Sequence, residues 1–335
     1  MPVPLLSARS MTDMVNNIKP ASQFILDLVF KNHKQHYTDT VDIPVLEGKQ
    51  RLAKPSRRTS PAGVVIKDGK QIKTMKLPHF REKMLSTAAA ALELSSKDGG
   101  IYRDKSQMEA HKLELAENLQ ILKDRMRTSM EYMACQALKG TVTMTGKDIA
   151  FTVDYGFDST HLPTKTGTAV WNGATANIPA DIRAWKRRVL KACGRNPTIG
   201  ILGSAAYEAF IQDEKVMKAL NNLNYKVGSV DLTGDSNFVG RVFNIDWYTY
   251  ENTYIDDNDA EQSMYSENDV TLIAPSTSFA THFAAVADLE AGLNPVEFFS
   301  KTKPEDDPSG MWVIAETNPL PAVSNPNEIL TATVL

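Results

Sequence analysis

Residues 104–146 read DKSQMEAHKLELAENLQILKDRMRTSMEYMACQALKGTVTMTG. Leu115, Leu119, Leu122, Met126 and Met133 recur at helical steps with charges between them, which predicts one continuous amphipathic helix. Asp104 or Ser106 can cap its start, and Gly140 follows its end. At a rise of about 1.5 Å per residue such a helix is roughly 50 Å long and acts as a strut. A coiled coil is the weaker reading, because the stripe lasts too few heptads and Ser129 interrupts it. Directly after it, Thr141 to Thr145 and Ile149 to Asp154 flank Gly146-Lys147-Asp148, which predicts a β-hairpin.

Towards the N-terminus no segment makes a compact core. Ser10 to Phe30 reads as a short helix and a linker interrupted by Pro20. His36 to Leu46 reads as extended, with β-favouring Thr38, Thr40, Val41, Ile43 and Val45, and Pro44 indicating an edge. Between Lys49 and Lys76 the chain is strongly basic: Lys49, Arg51, Lys54, Arg57, Arg58, Lys67, Lys70, Lys73 and Lys76 face Asp68 as the sole acid. Val64 to Lys67 and Lys70 to Leu77 flank Asp68-Gly69, a strong hairpin signal because both turn residues accept positive φ. A lone hairpin is marginal in water, so this basic arm is expected to dock elsewhere.

Towards the C-terminus helices and strands alternate, as in a mixed α/β lobe. Asp158 to Thr175 reads as a surface loop rich in Thr, Gly and Asn. Asp181 to Cys193 predicts a helix with Ile182, Trp185, Val189 and Leu190 inward and Gly194 as terminator. Thr198 to Leu202 reads as a short buried strand, and Ser204 as the cap of a helix reaching about Leu220. Phe238 to Thr249 and Val270 to Ala274 read as strands around an acidic insert, with short strands at Met311 to Ile314 and Ile329 to Val334. The whole chain is therefore expected to be α+β.

The 335 residues carry a formal net charge of −3, which argues against a protein built to coat nucleic acid. Cys135 and Cys193 lie far apart and read as buried small hydrophobes in a reducing compartment. Met1 to Met11 lacks the pattern of a signal peptide, and Phe24 to Phe30 is too short to span a bilayer. A protein made and used in the cytoplasm, without a membrane partner, is expected.

Motifs of catalysis are incomplete. Gly200-Ile201-Leu202-Gly203-Ser204 sits where a phosphate loop would sit, but lacks the Gly-Lys-Ser/Thr ending and the third glycine of the dinucleotide fingerprint. It reads as a tight strand-to-helix turn. Ser300-Lys301-Thr302-Lys303 matches Ser-x-x-Lys without companion motifs and reads as a solvated loop. His33 and His36 are close in sequence but have no acidic ligand in fixed relation, so a surface pair is expected. No nucleophile with a base, no acid/base carboxylate pair and no metal cluster emerges, so neither catalytic residues nor a cofactor nor a metal is expected. The acidic run Glu251, Asp256, Asp257, Asp259, Glu261, Glu267 and Asp269 lacks calcium-loop spacing. A solvated loop is the bland reading. The preferred reading makes Glu251, Asp256, Asp257, Asp259 and Glu261 the counterparts of Arg51, Lys54, Arg57, Arg58, Lys67, Lys70 and Lys73 on a neighbouring subunit, since opposite patches steer assembly and fix register.

The block from Ala137 to Gly146, with Leu138-Lys139-Gly140 and Thr143-Met144-Thr145-Gly146, followed by Thr152-Val153-Asp154-Tyr155-Gly156, closely resembles the lambda-like phage major capsid proteins, the family called major capsid protein E. Phe30 to Pro44, Tyr254 to Asp257 with Val270 to Ile273, Met311 to Val313 and Asn325 to Asn327 add pattern-level likeness in the same order. The resemblance implies the tailed-phage capsid fold named after the Hong Kong 97 phage. Its parts would be an N-terminal arm at 1–50, an extended loop at 51–83, a peripheral domain at 84–175 and 296–335 holding a spine helix at 104–140, and an axial domain at 176–295. It implies a structural, non-enzymatic subunit of an icosahedral bacteriophage head, self-assembling into pentamers and hexamers around double-stranded DNA in the virion. Implied partners are further copies of the chain, a scaffolding protein, a portal, a decoration protein and the packaged DNA, bound without sequence preference. Assembly would take place in the host cytoplasm. An encapsulin-like compartment and a soluble α/β enzyme are the alternatives.

Overall fold

In the computed structural model the described residues are 23–45, 71–87, 89, 107–146, 150–221, 237–256, 258–307 and 309–335. A short helix, Phe24–Val29, precedes β1 (Asn32–His36) and β2 (Thr40–Val45). Then come β3 (Gln71–Lys76), β4 (Phe80–Thr87), the spine helix Gln107–Ala137, and the hairpin β5 (Thr141–Thr145) and β6 (Ala150–Asp154). Helix Ile178–Cys193, β7 (Ile199–Leu202), helices Ser204–Gln212 and Glu214–Asn221, β8 (Phe238–Val242) and β9 (Ile245–Thr249) follow. The chain closes with β10 (Thr253–Ile255), β11 (Glu261–Ser263), β12 (Asp269–Ile273), β13 (Phe279–Ala284), β14 (Phe299–Asp306), β15 (Ser309–Thr317), β16 (Pro319–Val323) and β17 (Ile329–Thr333).

Two compact units result. One draws on Met1–Val41, Met75–Glu131 and Ala280–Pro321, the other on Asp42–Thr74, Tyr132–Phe279 and Ala322–Leu335. In the first, the spine lays Leu115, Leu119, Leu122 and Met126 against Met311, Val313 and Ala315 of the antiparallel sheet β14-β15-β4. This is the stripe that the helical spacing predicts. The alternation of β15 does the rest, since every second side chain faces the helix. Phe24–Val29 has no side-chain cap of its own. The buried carboxylate of Glu131 supplies one, accepting from the Ile25 N–H at 2.7 Å and the Leu26 N–H at 3.1 Å. Strand β1 then pairs in parallel with β13, Lys34 opposite His282 and His36 opposite Ala284.

The second unit is a lobe around a five-stranded sheet of order β17-β12-β7-β9-β8. Its core collects Ile182, Trp185, Val189, Phe210, Trp247, Leu272 and Leu330. Trp247 packs on Phe210 with ring centroids 5.1 Å apart. A Cβ added at Gly200 would lie 2.4 Å from the Trp247 ring, so only glycine lets β7 pass the indole. The β5–β6 hairpin is as expected, with Val142 opposite Val153 and both buried.

Several expectations need correction. The tail expected at 296–335 does not stay together: β17 pairs antiparallel with β12 inside the lobe sheet. The expected helix from Ser204 to Leu220 is two helices. Gly203, not Ser204, stands at the first N-cap, and Asp213 breaks the run and caps the second through the N–H groups of Lys215 and Val216. The stretch Phe238 to Thr249 is a hairpin turning at Phe243 and Asn244, both at positive φ. Leu190, expected inward, is 38% exposed. The segment at Ser300 is a strand rather than a solvated loop. Ser300 is fully buried, and Lys301 pairs with Asp288.

Candidate functional site

The acidic insert folds as a small antiparallel hairpin, β10 against β11, with Thr253 opposite Ser263 and Ile255 opposite Glu261. Asp256 organises its turn. Its carboxylate accepts from the N–H groups of Ala260 (3.0 Å) and Asn258 (2.8 Å), and these bonds hold its pKa below the usual carboxylate range. Asp259 takes a left-handed φ of 56° within that turn. Glu261 accepts from the Thr253 hydroxyl at 2.7 Å, and Glu251 from that of Thr249 at 3.4 Å. The hairpin is anchored by Tyr254, whose ring meets Tyr132 at 4.8 Å and whose hydroxyl pKa is pushed up to about 12 by its hydrogen bond with that residue. Ile255 stands 72% exposed beside the acids. Asp269, the last acid of the run, is different: it is buried, paired with Lys139 at 2.7 Å, and fastens the lobe. Asp257 lies outside the described residues.

Of the basic loop, Arg51, Lys54, Arg57, Arg58, Lys67 and Lys70 lie outside the described residues, as does the strand expected at Val64 to Lys67. Lys73 is described, on β3. Its ammonium donates to the Asp154 carbonyl at 3.3 Å. The described partner of β3 is β2, with the Leu77 N–H donating to the Asp39 carbonyl and the Thr74 hydroxyl to the Asp42 carboxylate.

A second basic surface escaped the sequence reading. Helix Ile178–Cys193 carries Arg183, Lys186, Arg187, Arg188 and Lys191 against Asp181 as its only acid. Asp181 is already held by Lys165 at 2.5 Å. Arg183, Arg187 and Arg188 are exposed. Their spacing was readable as the complement of the Ile182, Trp185, Val189 stripe.

The glycine turn is structural. A Cβ at Gly203 would come within 2.3 Å of the Ser266 carbonyl oxygen. The N–H groups of Gly203 and Ala206 donate to the carbonyls of Asp269 and Glu267, so they are spent on the fold rather than presented to a phosphate. His36 and His282 stack at 4.9 Å with Nε2 and Nδ1 2.9 Å apart. Burial, then His36 and Lys34, push the His282 pKa down to about 4, and burial with Lys34 lowers that of His36. His33 instead meets Glu297 at 2.6 Å, so the two close histidines do not form a pair with each other. Both cysteines are free thiols, Cys135 buried and Cys193 partly so. No described helix is long and apolar enough to cross a membrane.

Residues 7–334 match the family described as phage major capsid protein E. The chain belongs to that family. Its fold is that of phage capsid proteins, as solved relatives show. A capsid protein assigned to a prophage of Escherichia coli CFT073 superposes with a TM-score of 0.70 at 16% identity, covering 99% of this chain and 100% of the other. A phage-related protein from Bordetella bronchiseptica RB50 gives 0.61 at 13% identity, covering 98% of each chain. The capsid of a native GTA particle gives 0.53 at 10% identity, covering 94% and 91%. No curated protein matches the chain. This capsid protein is thus a structural shell subunit of a virion, which assembles with other copies of itself into a capsid lattice.

Proposed function

We propose that this capsid protein builds an icosahedral phage head as pentamers and hexamers around double-stranded DNA. The lobe acts as the axial domain around the symmetry axes. The spine with its three-stranded sheet acts as the peripheral domain, and the basic loop reaches onto neighbours. The observation that carries this reading is strand β1, whose residues stay largely exposed while those of its partner β13 are buried throughout. β1 carries only polar side chains, so it contributes mainly its backbone ladder and leaves them free for weak contacts with other subunits, which sum through multivalency. The role is structural rather than catalytic. A scaffolding protein, a portal and a decoration protein are the expected partners, DNA is contacted without sequence preference, and assembly takes place in the host cytoplasm.

An encapsulin-like compartment is the second reading. The shell protein of the SrpI encapsulin from Synechococcus elongatus shares the fold with a TM-score of 0.50 at 10% identity. The family match favours the phage branch. Deleting 57–76 and co-expressing the chain with its neighbouring head genes tests the proposal. Shells from the unaltered chain and their loss on deletion, with the lobe still folded, support the proposal. Unchanged shells on deletion contradict the loop's role, and a lack of shells from the unaltered chain contradicts the head reading.

A further inference from the structure

Two surfaces of the lobe carry opposite charge. One is the hairpin β10–β11, where Asp256, Asp259 and Glu261 surround the exposed Ile255. The other is the outer face of helix Ile178–Cys193. There Arg183, Lys186 and Arg187, with Asn196, rim a basin of about 300 Å³ floored by Leu190 and Phe243. Lys186 is fixed in place by donating to the Phe243 carbonyl at 2.6 Å. Each surface has an apolar centre and a charged margin, and the two margins are opposite in sign. They also sit at opposite ends of one strand, because Phe243 turns the chain into β9 and the acidic hairpin leaves just after its end. Two different patches on one lobe can pair between copies as a head-to-tail contact, which closes into a ring when the rotation per subunit divides a full turn.

We propose that in each ring the acidic hairpin of one copy docks on the basic helix face of the next, with Ile255 seated in the basin over Leu190 and Phe243. This rests on the shell-subunit reading. It replaces the basic loop as the partner of the acidic hairpin and leaves the loop to other contacts. Charge at the margin steers encounter and fixes register, and the apolar centre supplies the burial.

The test is a charge swap in the full chain, co-expressed with its neighbouring head genes. One variant carries Arg183→Glu and Arg187→Glu, another Glu251→Lys, Asp259→Lys and Glu261→Lys, which spare the turn-forming Asp256, and a third carries all five. Ring and shell yield is read by sedimentation and negative-stain microscopy, and folding by circular dichroism. Each single-sided variant is expected to fold and lose rings and shells, and the five-fold variant to regain them. Ile255→Asp should lower the yield without changing the fold. The proposal is overturned if both single-sided variants assemble like the unaltered chain, or if the five-fold variant folds but stays unassembled. Should Lys70→Glu with Lys73→Glu, rather than the helix reversal, be what restores the hairpin variant, the loop is the partner and the proposal falls. If the unaltered chain forms neither rings nor shells, the shell-subunit reading falls and takes the proposal with it.

Discussion

The arm and the lobe of this chain are held together by different means. In the lobe, strand β12 is buried along its whole length between two neighbours, and an indole, a phenyl ring and aliphatic side chains fill the space around it. In the arm, strand β1 hangs on a parallel ladder with most of its side chains exposed and His36 half-buried against His282, and the helix before it borrows its cap from Glu131. The lobe satisfies itself, whereas the arm is completed by what it lies on. The arm's order thus depends on distant parts of the same chain, Glu131 and β13, whereas the lobe's is built from its own core.

The contrast can be broken most severely at Trp247. Trp247→Ala removes a fully buried ring from the lobe core and should cost about 3–5 kcal/mol in urea unfolding, with the arm amides unaffected in their own local exchange. Glu131→Ala acts on the other side of the comparison. It leaves two buried N–H groups without a partner and should cost roughly 1–3 kcal/mol, read as faster hydrogen exchange at Ile25 and Leu26.

Acid should sharpen the difference. His36 and His282 both have folded pKa values below the ordinary histidine value, with Lys34 the charged group facing them. Above that ordinary value the pair is neutral whether folded or not, and its contribution is complete. As the pH falls, the unfolded chain takes up protons first, and stability is lost progressively towards the His282 value of about 4. The slope is at most roughly 1.4 kcal/mol per pH unit for one proton. Exchange at the amides of β1 should therefore accelerate between neutral and acidic pH, and His36→Gln should flatten that dependence. The smallest effect on folding is expected from reversing Arg57, Arg58, Lys70 and Lys73 to Glu, within about 0.5 kcal/mol as for ordinary surface changes. The same reversal should sharply reduce shell yield, and unchanged yield would show that the loop's charge is idle.

What could be read without coordinates followed from period. The Leu115, Leu119, Leu122 and Met126 stripe announced the spine and its buried face, and Ile182, Trp185 and Val189 did the same for the lobe helix. What escaped depended on distant partners. Nothing near Phe24 signals that Glu131 will cap it, because that contact joins residues more than a hundred positions apart. Ser300 and Lys301 look solvated in sequence, and only the pairing of β14 with β15, together with Asp288, makes them a strand. The tight turn at Phe243 and Asn244 carries no glycine to announce positive φ, so one hairpin read as one strand. The acidic patch was legible as composition, whereas the basic helix face is interleaved in sequence with the apolar stripe of the same helix and emerges as a surface only once the helix is wound.

The most direct test of the account is electron microscopy of the unaltered protein, produced with its neighbouring head genes and alone. Closed shells, tubes or capsomer rings are the result predicted for a shell subunit whose charged surfaces meet other copies. A small, monodisperse particle in both preparations would contradict it.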